Sequence, residues 1–142
     1  MARPGPLTQT VPMTAQLSDK ARAILSGTNF ATVATIEPDG QPQLSPVWVK
    51  HDGDDVLFST TVGRRKHVNI SRDPRVTVCV FDHDDPYTYV EIRGTATMTE
   101  EGGRALIDEF AKKYRGLDEY PWDGPDAVRV VVRVTATRVV GG

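Results

Sequence analysis

The strongest constraint on the fold is a series of six β-rich runs joined by short connections. Val, Thr and Ile supply 38 of the 142 residues, and these β-branched types favour pleated strands over helices. The connections are too short for the β-α-β crossovers that parallel strands require. We therefore predict a mainly-β (α+β) fold, a small closed or partly open antiparallel barrel with short helices at its corners. The six predicted strands are Phe30–Ile36, Leu44–Lys50, Val56–Thr61, Arg75–Phe81, Tyr89–Thr99 and Val128–Val139.

Three short helices complete the predicted fold. The first is capped by Ser18 and ends at Gly27, and its apolar residues recur at helical spacing. The second spans residues 64–70 and is stopped by the Asp-Pro pair that follows it. The third spans residues 101–114 and has Gly116 at its C-cap.

The size and charge of the chain limit its functional class. A chain of 142 residues fits one domain, which we place at residues 17–142, after an N-terminal arm, residues 1–16, that is rich in Pro and small polar residues and is expected to be flexible. The net charge of −2 argues against a nucleic acid or a membrane surface as partner. One cysteine, Cys79, cannot form an internal disulfide. No apolar run resembles a membrane span or a signal peptide, so we expect a cytoplasmic protein.

A local basic cluster is the feature most informative about function. Five of the 17 Lys and Arg residues fall within 12 positions, although the rest of the chain is acidic. The cluster follows a hydroxyl-rich strand end and Gly63, so hydroxyls, backbone amides and cations meet at a helix N-terminus, which suits a phosphate. The alternative interpretation is a solvated basic turn. The cluster comprises Arg64, Arg65, Lys66, Arg72 and Arg75, and the hydroxyls are those of Ser59, Thr60 and Thr61.

No nucleophile with a matching base is recognisable, and we assign no catalytic residue and no metal ligand. Residues 82–85 (Asp-His-Asp-Asp) have the chemistry of metal ligands, but consecutive residues at a strand end point in alternating directions, so we expect a solvated turn. Cys79 is expected to be a small buried hydrophobe. Several aromatic residues belong either to the core or to a wall for a flat ring, namely Trp48, Tyr87, Tyr89, Tyr120 and Trp122.

Short motifs follow one another along the chain in a fixed order. They are ATVATI at 31–36, DGQPQLSPVW at 39–48, LFST at 57–60, RRK at 64–66 with Asn69, RDPRV at 72–76, YTY at 87–89 and RGTA at 93–96. Together they resemble the pyridoxamine 5′-phosphate oxidase-like split β-barrel superfamily, and most of all its actinobacterial branch that uses the deazaflavin coenzyme F420. The resemblance implies a six-stranded split β-barrel of the FMN-binding type, assembled as a homodimer with two cofactor sites at the subunit interface.

The resemblance also implies which residues contact the cofactor. The segment from Gln43 to Trp48 matches residues along the tricyclic ring, and residues 59–61 match contacts to the ribityl chain and phosphate. Arg64, Lys66 and Asn69 match contacts to the phosphate or the tail, and residues 87–89 match residues donated by the partner subunit. The expected cofactor-binding residues are Gln43, Ser45, Pro46, Val47, Trp48, Ser59, Thr60, Thr61, Arg64, Arg65, Lys66, Asn69, Tyr87, Thr88 and Tyr89.

The activity implied by the resemblance is F420-dependent oxidoreduction, in which a hydride passes from the reduced deazaflavin ring to a C=C or C=N bond of a small unsaturated substrate. Two alternatives stay open: an FMN-binding oxidoreductase of the same fold, and a non-enzymatic protein that binds or sequesters F420. The pyridoxamine phosphate oxidases carry a further substrate-binding segment that this chain lacks after its last strand. We therefore do not expect oxidation of pyridoxamine phosphate.

Overall fold

The computed structural model describes residues 14–141, which form seven strands and three helices. The predicted arm, residues 1–16, lies outside the described residues except for its last three, where the Ala15 amide donates to the Ala136 carbonyl at 2.8 Å. The strands are β1 (Ala31–Ile36), β2 (Pro42–Val47), β3 (Val49–Asp52), β4 (Asp55–Thr61), β5 (Arg75–Asp82), β6 (Asp85–Thr99) and β7 (Arg129–Gly141), and the helices are α1 (Asp19–Ser26), α2 (Arg65–Arg72) and α3 (Gly103–Arg115).

The strands form one antiparallel sheet in the order β2-β1-β5-β6-β7-β4-β3. The two edge strands, β2 and β3, are consecutive in the chain and are separated only by Trp48. The sheet must therefore curl until its edges meet at this residue, which gives the predicted split barrel.

The predicted strand Leu44–Lys50 is two strands, and this raises the strand count from six to seven. Val47 pairs with Ala31 at one edge of the sheet, whereas Val49 pairs with Phe58 at the other. No single straight strand can pair with both edges. Trp48 is the corner between them.

The barrel interior is the main core, and α3 adds a second, smaller core outside it. Inward-facing residues alternate along β1, β5, β6 and β7, and the largest buried side chain in the barrel is Phe58. Helix α1, capped by the Ser18 hydroxyl as predicted, buries Ile24 and Leu25 in this interior. Helix α3 packs Leu106, Ile107 and Phe110 against Leu57 on the outer side of β4.

Helix α3 begins two residues later than predicted because of its glycines. Gly102 takes a left-handed conformation with φ of 80°, which stops the helix from extending backward. Gly103 lies so close to β7 that a Cβ atom there would be 2.1 Å from the Arg129 carbonyl oxygen. This close approach fixes α3 on the sheet. No described helix is both long enough and apolar enough to cross a membrane.

Candidate functional site

A cleft of about 250 Å³ opens at the Trp48 corner, between α3, the end of β4 and the start of α2. The corner places Pro46, Val47 and Trp48 on one side of the cleft. Helix α3 contributes Ile107 and Phe110. The remaining lining residues are Phe30, Ser59, Arg64, Lys66, Tyr120 and Arg129.

Aromatic side chains form one wall of the cleft. The indole of Trp48 stacks on Tyr114 with ring centroids 5.3 Å apart and planes within 8°. Tyr120 meets the same indole edge-on at 6.0 Å. The Tyr114 hydroxyl donates to the Asn29 carbonyl at 2.7 Å and accepts from the Val49 amide at 3.1 Å, so the stack is anchored to the strand that follows the corner. A rigid aromatic wall of this kind suits a flat ring.

Three cationic side chains, Arg64, Lys66 and Arg129, also line the cleft. The Lys66 side chain is 9% exposed and makes no hydrogen bond or ion pair with any described residue. Burial lowers the pKa of Lys66, and the nearby charges of Arg64 and Arg129 lower it further. A buried cation without a partner is costly unless an anion binds there.

The structure separates the predicted basic cluster into two groups. Arg64 and Lys66 line the cleft. The other three cations have partners elsewhere: Arg65 lies 3.6 Å from Glu37, Arg75 pairs with Asp73 at 2.7 Å, and Arg72 donates to the Ile36 carbonyl. The prediction of an anion site is therefore restricted to Arg64 and Lys66, and the other three cations contact groups of the protein itself.

Asn69 does not line the cleft, although the family resemblance places it among the tail contacts. Its side chain is fully buried, and its amide donates to Thr35 Oγ1 and Glu37 Oε2, both at 3.0 Å. Arg72 completes the group by donating to Asn69 Oδ1 at 3.4 Å. These bonds tie α2 to β1 and so hold Lys66, one turn earlier on the same helix, in position.

The hydroxyl-bearing residues of the predicted site differ in their contacts. Ser59 lines the cleft, and its Oγ accepts from Arg129 Nη1 at 3.2 Å. Ser45 Oγ and Thr60 Oγ1 are buried without a hydrogen-bond partner among the described residues. Thr61 is buried and does not line the cleft. The Gln43 side chain accepts from Thr35 Oγ1 at 3.3 Å and does not line the cleft either.

The aromatic motif at residues 87–89 lies outside the cleft of its own chain. Tyr87, close to the β5–β6 turn, is 92% exposed, and Tyr89 is 40% exposed. The Thr88 hydroxyl donates to Asp85 at 2.8 Å. Their expected contribution to a partner's site remains a prediction.

Arg129 is the principal cleft residue that the sequence patterns did not identify. Its side chain is 7% exposed and pairs with Asp123 at 2.7 Å, and its guanidinium lies 4.7 Å from the centre of the Tyr120 ring. Burial pulls the pKa of Arg129 down, but the hydrogen bond and charge of Asp123 raise it overall. The sequence feature that could have identified Arg129 is a charged residue at the start of the valine-rich last strand.

The side chains at the end of β5 and in the turn that follows it, residues 82–84, lie close together. Ligand atoms of Asp82, His83 and Asp84 lie within 4.8 Å of one another, because Asp82 ends β5 and His83 and Asp84 form the tight turn before β6. The expectation that these side chains point in alternating directions is therefore wrong. The His83 and Asp84 side chains are exposed, as expected of a solvated turn. Cys79 is half-buried, and burial raises the pKa of its thiol.

The cleft fits a flat ring that carries an anionic tail. Trp48 and Tyr120 of the aromatic wall and the unpartnered Lys66 side chain line the same cleft. The buried hydroxyls of Ser45 and Thr60 do not line the cleft. Flavins and deazaflavins with a phosphate-bearing side chain have this combination of ring and charge.

Comparison with known proteins identifies the family. The sequence profile described as pyridoxamine 5′-phosphate oxidase matches residues 17–141. An F420 reductase of known structure is 30% identical, with 84% of this chain and 94% of that chain aligned and a TM-score of 0.73. A conserved hypothetical protein of Mycobacterium tuberculosis is 27% identical, with 93% and 88% aligned and a TM-score of 0.71. The chain therefore belongs to the pyridoxamine 5′-phosphate oxidase-like split β-barrel superfamily of flavin- and deazaflavin-type oxidoreductases, in the branch that includes the F420 reductase.

Proposed function

We propose that the protein is an F420-dependent reductase that transfers a hydride to a C=C or C=N bond of a small unsaturated substrate. The observation that carries this proposal is the buried, unpartnered Lys66, which lines the same cleft as Trp48 and Tyr120. The 30% identity to an F420 reductase favours the deazaflavin over FMN.

In this proposal Lys66 and Arg64 hold the phosphate of the cofactor. Both line the cleft, and neither has a carboxylate partner among the described residues. An anion at Lys66 restores the favourable interactions that its ammonium loses on burial. The Ser59 hydroxyl, oriented by Arg129, is a further donor or acceptor for the chain between ring and phosphate.

The strand β2 and the corner residue hold the ring. Trp48 is fixed by its stacking on Tyr114, so it presents a rigid surface and does not need to reorganise on binding. The reduced deazaflavin supplies a hydride from C5 when bound. The aromatic wall excludes water from this region, and Trp48 with Tyr120 limits the shape of a substrate that approaches it. We assign no side chain as proton donor.

The proposed working unit is a homodimer. Exposed apolar side chains collect on the outer side of β2, β5 and β6, where Leu44 is 61%, Phe81 43% and Tyr89 40% exposed. Phe30, 61% exposed, adjoins this surface and also lines the cleft. A second copy bound here would cover the apolar surface and reach the cleft, which agrees with the expectation that residues 87–89 serve the partner's site.

A side-by-side fluorescence titration tests the cofactor. We expect F420 to bind much more tightly than FMN, and equal or reversed affinities contradict the deazaflavin assignment. Turnover of reduced F420 with a panel of enones, quinones and imines then tests for an enzyme. Tight binding without turnover of any compound favours a sequestering protein instead.

Mixed dimers test the shared site. If each site uses Lys66 of one chain and Tyr87 of the other, the homodimer of Lys66→Met and the homodimer of Tyr87→Ala should each bind F420 poorly. After denaturation and refolding as an equal mixture, about a quarter of the sites regain both residues. No recovery in the mixture, beside normal recovery of refolded wild type, contradicts the partner's contribution.

A further inference from the structure

Four charged side chains form a network beside the cleft. The Asp123 carboxylate accepts from Arg129 Nε at 2.8 Å and Nη2 at 2.7 Å, and from Arg104 Nη1 at 3.0 Å. Arg104 Nη2 also donates to Asp108 Oδ1 at 3.0 Å, and this oxygen accepts from the Tyr120 amide at 2.8 Å. Two arginines and two aspartates make the network electrically neutral.

The network determines which cations of the cleft are free. Arg64, Lys66 and Arg129 line the cleft, and among the described residues only Arg129 has a carboxylate partner. The Arg129 and Asp123 side chains are 7% and 10% exposed, so solvent screens the pair weakly. The hydrogen bond from Arg129 lowers the pKa of Asp123 against the effect of burial, and the charges of Arg129, Arg104 and Arg64 lower it further. Asp123 is therefore ionised near neutral pH and influences both arginines of the cleft.

We propose that Asp123 is a positioning residue that sets the charge of the ligand the cleft selects, because it holds and neutralises Arg129 and leaves Lys66 and Arg64 as the free cations. This inference rests on the proposed function, in which a phosphate reaches Lys66 and Arg64. Two free cations already exceed the single charge of the phosphodiester in the deazaflavin coenzyme. The phosphomonoester of FMN carries a charge of about −1.5 to −2 at neutral pH, so its attraction to a third, unneutralised cation is stronger.

Removing the Asp123 charge leaves the positive charge of Arg129 unneutralised beside the ligand. Asparagine has nearly the same shape and keeps an oxygen that accepts from Arg129, so the segment that carries Tyr120 stays in place. We expect Asp123→Asn to bind FMN about three- to tenfold more tightly at low salt. Riboflavin has the same ring without the phosphate, and its affinity should stay within about twofold.

The matched control is Asp126→Asn. Asp126 is exposed in the same segment and makes no contact with the network. Two further variants test the route through Arg129: Asp123→Glu restores the charge, and Asp123→Asn combined with Arg129→Gln restores neutrality. Both should return the FMN-to-riboflavin affinity ratio toward the wild-type value. Dissociation constants are measured by flavin fluorescence at low and high salt, with thermal stabilisation by inorganic pyrophosphate as a probe that needs no ring.

A higher FMN-to-riboflavin ratio in Asp123→Asn alone, shrinking at high salt, supports the inference. A ratio that is unchanged or lower, including parallel weakening of both flavins, overturns it, because a merely structural Asp123 would affect both ligands equally. If the wild-type protein binds neither F420 nor any flavin, the proposed function fails, and pyrophosphate decides the inference separately. Stronger thermal stabilisation by pyrophosphate of Asp123→Asn than of Asp126→Asn then supports the inference about Asp123, and equal stabilisation overturns it.

Discussion

Replacing Lys66 by methionine should weaken cofactor binding and at the same time stabilise the free protein. Methionine fills a similar volume, so the packing of α2 against the barrel is retained. The affinity should fall about tenfold to a hundredfold, which corresponds to the loss of one charge-assisted hydrogen bond of about 1.5–3 kcal/mol.

The gain in stability follows from the burial of an unpartnered charge. The Lys66 side chain is 9% exposed, and its lowered pKa means that the folded state disfavours the charged form relative to the unfolded chain. At neutral pH this penalty opposes folding, and methionine removes it. We expect the free energy of unfolding to rise by about 1 kcal/mol, since partial solvation of the ammonium reduces the full cost.

Urea denaturation of the ligand-free protein and titration with F420 measure the two effects. Lys20→Met is the matched control, because Lys20 is exposed on α1 and has no hydrogen bond or ion pair among the described residues. It should change the unfolding free energy by less than about 0.5 kcal/mol and leave affinity unchanged. An Lys66→Met protein that binds F420 as tightly as wild type, or that loses more than about 2 kcal/mol of stability, refutes the reasoning.

Three further predictions concern pH and packing. Burial and the charges of Arg64 and Arg129 lower the pKa of Lys66, and a bound anion favours its charged form, so F420 affinity should fall as pH rises through that pKa. Lys66→Arg stays charged, so its affinity should depend less on pH. Equal slopes of affinity against pH in wild type and Lys66→Arg contradict this prediction. Burial also lowers the pKa of Lys113 from 10.5 to about 8, so between these pH values the unfolded chain binds more protons than the folded protein. As pH rises from 8 to 10, the free energy of unfolding of wild type should therefore increase by about 1–2 kcal/mol relative to that of Lys113→Met, as measured by urea denaturation. A Cβ on Gly94 would lie 2.1 Å from the Thr135 carbonyl oxygen, so Gly94→Ala should lose about 3 kcal/mol or more, whereas Gly124→Ala, which meets no atom within 4 Å, should melt close to wild type.

The fold was largely predictable from local signals. Ser18 caps α1 and Gly116 ends α3 through hydrogen bonds to residues within five positions in the sequence. The break at Trp48 was not predictable in the same way. It depends on which strands Val47 and Val49 pair with, and those partners, Ala31 and Phe58, lie on opposite edges of the sheet.

The candidate site was predictable as a location but not as a set of contacts. The density of cations near Lys66 indicated an anion site, yet whether each cation is free depends on distant carboxylates and carbonyls. Glu37 lies 28 positions before Arg65, and the Ile36 carbonyl that accepts from Arg72 lies 36 positions before that arginine. Single-residue patterns do not encode such pairings, which the sheet order creates.

A crystal structure of the F420 complex is the decisive test of the proposed cofactor site. We expect the deazaflavin ring against Trp48 and a phosphate oxygen within hydrogen-bond distance of Lys66 Nζ. A complex in which the phosphate lies away from Lys66, or in which the ring lies outside the cleft, would contradict it.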